Sequence, residues 1–179
     1  MLLNLFKRTK TPFTRTTRKV IIGTQSYGFK IKEGKRNTCK IEDGVINVTI
    51  FPATKENFHK YIDGWYTRLA RKRYYESIDK WMPEFKRLDY DIPYPRVKIY
   101  RMHRAWARCY YTRDVITINS KLFRMTDDCI DYILLHEMTH FIAHDHGMLF
   151  RAILDKIDPD WRKKEGALRN FEQRKELMQ

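Results

Sequence analysis

His136-Glu137-Met138-Thr139-His140-Phe141-Ile142-Ala143-His144-Asp145-His146-Gly147 is the stretch on which the reading of this chain turns. Its first five residues form the pattern H-E-x-x-H. On a helix, residues four apart share a face, so His136 and His140 point the same way from adjacent turns. Two imidazoles so placed can bind one zinc ion at about 2.0–2.1 Å each. Glu137 stands beside the first of them, where it can take a proton from a zinc-polarised water without being a ligand itself.

The third ligand has two candidates. A helix that ran straight on would bring His144 into the stripe. At a rise of about 1.5 Å per residue, however, His144 would stand about 12 Å along the axis from His136, too far to share one ion. His146 fits better. The helix is expected to end near Ala143 or His144, Gly147 allows a sharp turn, and His146 swings back to the metal. The expected centre is therefore His136, His140 and His146 around Zn2+, with a water in the fourth position and Glu137 as the catalytic residue. Three ligands and an open position are the catalytic pattern of zinc, and four closed ligands the structural one. The bland alternative is a buried helix whose histidines are satisfied by hydrogen bonds. His59 and His103 lie outside the motif and read as surface or packing residues.

Composition bounds the rest. At 179 residues, 42% hydrophobic and 14% aromatic, the chain suits one domain with a sizeable core and an appended arm. No run approaches the length of apolar sequence that a membrane span needs. The N-terminal Met1-Leu2-Leu3-Asn4-Leu5-Phe6 is too short for a signal-peptide core, and its basic residues follow rather than precede it. Three cysteines, Cys39, Cys109 and Cys129, are an odd number without C-x-x-C spacing. They read as reduced thiols, each a small buried hydrophobe, which points to a cytoplasmic protein.

The net charge is +14, unevenly spread. Among the first forty residues Lys7, Arg8, Lys10, Arg15, Arg18, Lys19, Lys30, Lys32, Lys35, Arg36 and Lys40 face only Glu33. That asymmetry suits attraction to phosphate backbones or another polyanion. A solvated basic region that only aids solubility explains it as well, because no nucleic-acid-binding motif accompanies the charge.

Along the chain, residues 1–17 read as a basic, mobile arm and 18–179 as one domain. Strands are expected at Lys19–Ile22, Tyr27–Lys32, Thr38–Glu42 and Val45–Phe51, forming a small antiparallel sheet with a tight hairpin at Asp43-Gly44. Thr54 is a candidate N-cap for a long helix over 54–82, ended by Pro83. Its apolar stripe is Phe58, Ile62, Trp65, Leu69, Ile78, Trp81 and Phe85. A core region over 93–172 follows: a strand at Val97–Tyr100, then a hairpin of Tyr110-Tyr111 with Val115–Asn119 around Arg113-Asp114. Thr126 is expected to cap the helix that carries the motif, with Asp127 and Asp128 at its positive end. One more helix should hold Leu149 to Ile157. A last helix should start with Pro159 in its first turn and pack through Trp161, Leu168 and Phe171.

With these parts in place the chain resembles the YgjP-like and SprT-like zinc metallopeptidase families. The family's H-E-x-x-H-x5-H, with a Phe four residues beyond the last His, corresponds to His136, Glu137, His140, His146 and Phe150. Its I-x-L-N strand corresponds to Ile116-Thr117-Ile118-Asn119. Its R-W-G-S-C motif falls on Ala105-Trp106-Ala107-Arg108-Cys109, with departures at Ala105, Ala107 and Arg108. The resemblance implies an α+β, zincin-like fold in which a small mixed or antiparallel sheet packs against the metal-bearing helix. It also implies peptide-bond cleavage and, from SprT-like relatives, targets associated with DNA. Trp106 is expected to pack beneath the site. Arg104 and Arg108 are candidates to polarise a substrate oxygen, and Tyr110 and Tyr111 to donate a hydroxyl.

The expected function is thus a zinc-dependent peptidase acting on a protein or peptide. Two other readings stay open at this point. One is hydrolysis of a nucleotide phosphoanhydride at the same centre, and the other a basic nucleic-acid-binding module with a vestigial zinc site.

Overall fold

The structure is a computed structural model that describes residues 16–173, with side chains from 19 to 170. The expected basic arm lies, up to residue 15, outside the described residues. The chain divides into two compact units, Met1–Leu69 and Ala70–Gln179.

In the first unit four strands form one sheet: β1 (Thr16–Ile22), β2 (Gln25–Glu33), β3 (Thr38–Glu42) and β4 (Val45–Ile50), in the order β1-β2-β4-β3. All four strands stand close to where period-2 alternation places them. The Asp43-Gly44 turn has both residues in the left-handed region, at φ 50° and 71°, as a tight hairpin between β3 and β4 requires. The sheet is mixed rather than antiparallel. β2 pairs with β4 in parallel, Phe29 opposite Ile46 and Ile31 opposite Val48. Strand order is a long-range choice, and alternation within each strand does not encode it. One face buries Phe29, Ile31, Ile46, Val48 and Ile50, and the Phe58 ring meets Phe29 edge-on at 6.0 Å.

Helix α1 (Lys55–Arg87) begins as expected, with the Asn57 amide donating to the Thr54 hydroxyl at 3.2 Å. Its buried line differs from the expected stripe. It runs at four-residue steps through Phe58, Ile62, Tyr66, Ala70, Tyr74 and Ile78, then Trp81 and Phe85, while Trp65 and Leu69 are half-buried flanks. Pro83 does not end the helix, which runs one turn further. Fully buried Phe85 holds that turn. Asp89, at φ 61°, then closes it: the Tyr90 amide donates to the Phe85 carbonyl and the Asp89 amide to Lys86. This is a Schellman ending with Asp where Gly is commonest.

The second unit continues α1 and adds a three-stranded sheet, β5 (Arg96–Tyr100), β6 (Ala107–Tyr110) and β7 (Val115–Asn119), in the order β5-β7-β6. β5 is parallel to β7, and β6 antiparallel to it. β7 is central and buries Val115, Ile116, Ile118 and Asn119 on its two faces. The expected hairpin therefore exists, with Asp114 at φ 53° in its turn. Three helices follow: α2 (Asp127–Thr139), α3 (Met148–Ile157) and α4 (Trp161–Gln173). Asp158, Pro159 and Asp160 precede α4 rather than opening it, and the Trp161 amide donates to the Asp158 carbonyl at 2.9 Å. Trp161 and Leu168 are buried, and the Phe171 side chain lies outside the described residues. The result is a mixed α+β protein. No described helix is long and apolar enough to cross a membrane.

The three cysteines are unpaired. Only Cys129 is fully buried; Cys39 and Cys109 are half-buried, so the expectation of three core thiols holds for one.

Arg73 ties α1 to the start of α2. Its guanidinium donates to the Phe123 carbonyl, to the Met125 carbonyl at 3.0 Å and to the Asp127 carboxylate. Removing it leaves two carbonyls without their donor, at about 1–3 kcal/mol for each buried group. Arg73→Met should therefore lower the unfolding free energy by about 2–3 kcal/mol in a urea titration. A change under about 0.5 kcal/mol would show that water replaces the guanidinium at no cost.

Candidate metal centre

The helix that carries the motif is well specified at its start. The Cys129 amide donates to the Thr126 hydroxyl, and Asp127 and Asp128 lie in the first turn, where the helix dipole favours negative charge. Its end comes earlier than expected. Thr139 is the last helical residue and His140 is the C-cap, four residues short of His144. The chain tightens there: the amides of Phe141, Ile142 and Ala143 donate back to Met138 and Thr139 at 3.0–3.1 Å.

Two side chains hold this turn. His140 Nδ1 lies 3.0 Å from the Ala143 carbonyl. A carbonyl can only accept, so Nδ1 carries the proton and Nε2 keeps its lone pair. Asp145 accepts from the Gly147 amide at 2.9 Å. Gly147 serves here through close approach rather than an unusual backbone angle. Its φ is −71°, but a Cβ would stand 2.8 Å from the Asp145 Oδ1 atom.

The turn carries His146 back onto the helix. His146 Nε2 is 2.9 Å from His136 Nε2, and the three ring centroids lie 4.9–5.1 Å apart. Two bare nitrogen lone pairs at 2.9 Å repel, so a proton or a cation must lie between them. One donor atom from each of His136, His140 and His146 lies within 4.8 Å of the others. Around a tetrahedral ion donors at about 2.1 Å stand about 3.4 Å apart, so the widest pair closes by up to about 1.4 Å and the closest opens by about 0.5 Å, changes that side-chain rotation on a turn can supply. Phe150 packs against all three rings at 4.8–4.9 Å. His144 is directed elsewhere: its Nδ1 meets the His140 carbonyl at 3.0 Å, and its ring stacks on Tyr111 at 3.8 Å.

Electrostatics suits a cation. Burial and the neighbouring imidazoles push the His136 pKa down to about 3, and burial lowers that of His140, so both rings are neutral donors at pH 7. The residues present therefore fit a metal ion of the kind imidazole prefers.

Glu137 is one residue on and so faces about 100° away around the helix, toward β6. It is 8% exposed. Burial raises its pKa to about 7, against the pull of the Cys109 amide, which donates to the carboxyl, and of the Arg108 guanidinium. The Cys109 thiol is pushed up to about 12, first by burial and then by Glu137, and stays protonated. Of the other residues singled out in the sequence, Arg108 is thus near Glu137, and Trp106 lines a cavity of about 240 Å³ with Ala107, His136 and Glu137. Tyr111 is occupied by His144, and Arg104 and Tyr110 are exposed.

Asn119 holds the strand edge in place. Its side-chain amide donates to the Met102 and Ala105 carbonyls at 2.9 Å each, and its backbone amide to Trp106 at 2.7 Å. The site also draws on residues outside the motif, one of them, Trp161, expected only in the core. Tyr132, Trp161, Glu165 and Arg169 wall the cleft beside His136. Tyr132 donates its hydroxyl to Glu165. Only the helical spacing of Trp161, Glu165 and Arg169 on one face of α4 could have grouped these three.

An H-E-x-x-H helix, a third histidine turned back on it and a strand edge alongside are parts from which metal-dependent hydrolases are built. The chain belongs to the YgjP-like metallopeptidase domain family, which matches it over residues 3–171. It is accordingly a metallopeptidase, a hydrolase. Two solved structures are similar. One is the metallopeptidase zymogen abylysin of Pyrococcus abyssi, 21% identical, TM-score 0.46, covering 59% of this chain and 96% of that one. The other is the metallopeptidase zymogen jannalysin of Methanocaldococcus jannaschii, 17% identical, TM-score 0.45, covering 54% of this chain and 94% of that one. No curated protein matches the chain.

The two buried titrations pull stability in opposite directions in the metal-free protein. Between about pH 4.5 and 7 folded Glu137 holds a proton that the unfolded chain has released, so its contribution falls as pH rises. Below pH 6.5 the unfolded chain protonates its imidazole while folded His136, with its pKa near 3, does not, so this contribution falls as pH drops. Glu137→Gln removes only the first. In chelator, that variant should lose stability more steeply than the parent on acidification from pH 6.5 to 4.5, measured by urea unfolding at stepped pH. Parallel curves would contradict the buried-carboxyl account.

Proposed function

We propose that the chain is a zinc-dependent peptidase in which His136, His140 and His146 hold the ion and Glu137 moves the proton. The observation that carries this reading is the convergence of three imidazoles, those of His136 and His140 held neutral, beside a buried carboxyl whose pKa is pushed up to about 7. Zinc, when bound, supplies the Lewis acidity that polarises a carbonyl and acidifies a water.

The chain's own residues do the rest. Glu137, titrating near neutrality, takes the proton of the attacking water and returns it to the leaving amine. The Cys109 amide aims the carboxyl, and Phe150 keeps the three imidazoles from splaying. β6 is an edge strand. Trp106 bonds to Asn119 on the β7 side, so the alternate residue Ala107 turns its amide and carbonyl outward, beside Glu137. An extended substrate strand pairs there and brings its scissile carbonyl to the histidines.

A protein or peptide substrate follows from this arrangement. A target carried on nucleic acid is supported by the charge of +14 and by Lys30, Lys32 and Lys40, which share the outer face of the first sheet, across the Lys30–Asn47–Lys40 register. Hydrolysis of a nucleotide phosphoanhydride at the same centre is the second reading, favoured by the three arginines near His136. Peptides and nucleoside triphosphates assayed with and without chelator separate the two.

Glu137→Gln should keep one zinc per chain by elemental analysis and lose about 10²- to 10⁴-fold in peptide turnover. His136→Ala should lose both metal and turnover. Full activity in Glu137→Gln would remove Glu137 from the proton-transfer role.

A further inference from the structure

The larger cavity beside the histidines has a volume of about 460 Å³ and is bounded by α3 and α4. Its walls are aromatic: Phe150 lies on the imidazoles, and the Tyr132 and Trp161 rings stack at 6.2 Å, 6° from parallel. Its charge is one-sided, with Arg151, Arg162 and Arg169 against the single carboxylate of Glu165.

The three guanidiniums are not equivalent. Arg162 is paired with Asp155, and Arg169 with Glu165 at 3.0 Å. Arg151 has no carboxylate partner among the described residues, and it is exposed. It directly follows Phe150, the residue that packs on all three imidazoles, so its backbone is fixed next to the centre while its head group is left for a ligand. Three guanidiniums against one carboxylate leave a positive field at the cavity that attracts an anion. Arginine meets a carboxylate through two parallel hydrogen bonds, which gives orientation as well as energy.

We infer that this cavity is a substrate subsite for a carboxylate and that Arg151 recognises it. The carboxylate is either the side chain of an Asp or Glu close to the scissile bond or the free C terminus of a short peptide. The inference rests on the peptidase reading, because His136 and His146 then mark the position of the scissile carbonyl. An extended chain advances about 3.3 Å per residue, so a residue one or two positions away lies at the cavity.

The test is a peptide set that varies one position beside the cleaved bond as Glu, Ala or Lys, each with a free or an amidated C terminus. kcat/KM is measured for the zinc-loaded parent, Arg151→Ala and Arg151→Glu. The ratio of acidic to basic peptide, taken within each protein, cancels any loss of folded enzyme. The parent should favour Glu over Lys, or the free terminus over the amide. The first preference assigns the side chain and the second the terminus. Arg151→Ala should reduce the favoured ratio by about tenfold or more, and Arg151→Glu should reverse it. Ratios that stay the same in Arg151→Glu overturn the subsite, while continued cleavage of the Ala peptide leaves the peptidase reading standing. A parent that cleaves no peptide but hydrolyses nucleoside triphosphate overturns both.

Discussion

Everything at the centre depends on how early the motif helix stops. Were α2 to continue through His144, the third imidazole would be carried along the axis and away from His136. The helix instead ends at Thr139, and the chain folds back over seven residues to bring two Nε2 atoms within 2.9 Å. The side-chain contacts that hold this reversal are few, and one of them, His140 Nδ1 with the Ala143 carbonyl, has two tasks. It sets the tautomer of one candidate ligand while shaping the loop that delivers another. Coupling the two tasks means that a ring flip at His140 would loosen the turn and lose the donor together.

The same economy holds at the strand edge. The Cys109 amide lies on the outer side of β6, where an unpaired donor would ordinarily invite another chain. Here it is taken by Glu137, which burial would otherwise drive further from ionisation. A backbone group thus tunes the acid together with the Arg108 guanidinium. Its partner Arg108 stands where the family motif has a small polar residue, so this chain adds a cation to the carboxyl's surroundings.

Much of this was legible in the sequence, and the limits have physical causes. His136 and His140 follow from helical spacing alone, and the choice of His146 over His144 from helix rise. Thr126, Asp43-Gly44 and Thr54 announced their caps and turn because those signals are local. The end of α2 falls four residues before the expected Ala143, since it is set by side-chain bonds to carbonyls that no propensity reveals. The buried line of α1 takes Tyr66 and Tyr74 rather than Trp65 and Leu69, because tyrosine is amphipathic and sequence patterning treats it as surface. Parallel pairing of β2 with β4 is a choice between non-adjacent segments. The α4 wall of the cleft is another such long-range pairing: Glu165 and Arg169 lie 25 and 29 residues beyond His140.

Asn119 ends the central strand and clasps the passage before β6, its carboxamide holding the Met102 and Ala105 carbonyls and its backbone amide that of Trp106. That clasp makes the passage a spacer of set length. Adding or deleting one residue there would slide β6 by one position along its neighbour, and every outward group would become an inward one. The Cys109 amide would then point into the sheet, and the amide aimed at Glu137 would belong to a different residue. Length in this short passage is therefore a tighter requirement than composition, which is how Ala105, Ala107 and Arg108 can differ from the family pattern while the geometry around them stands.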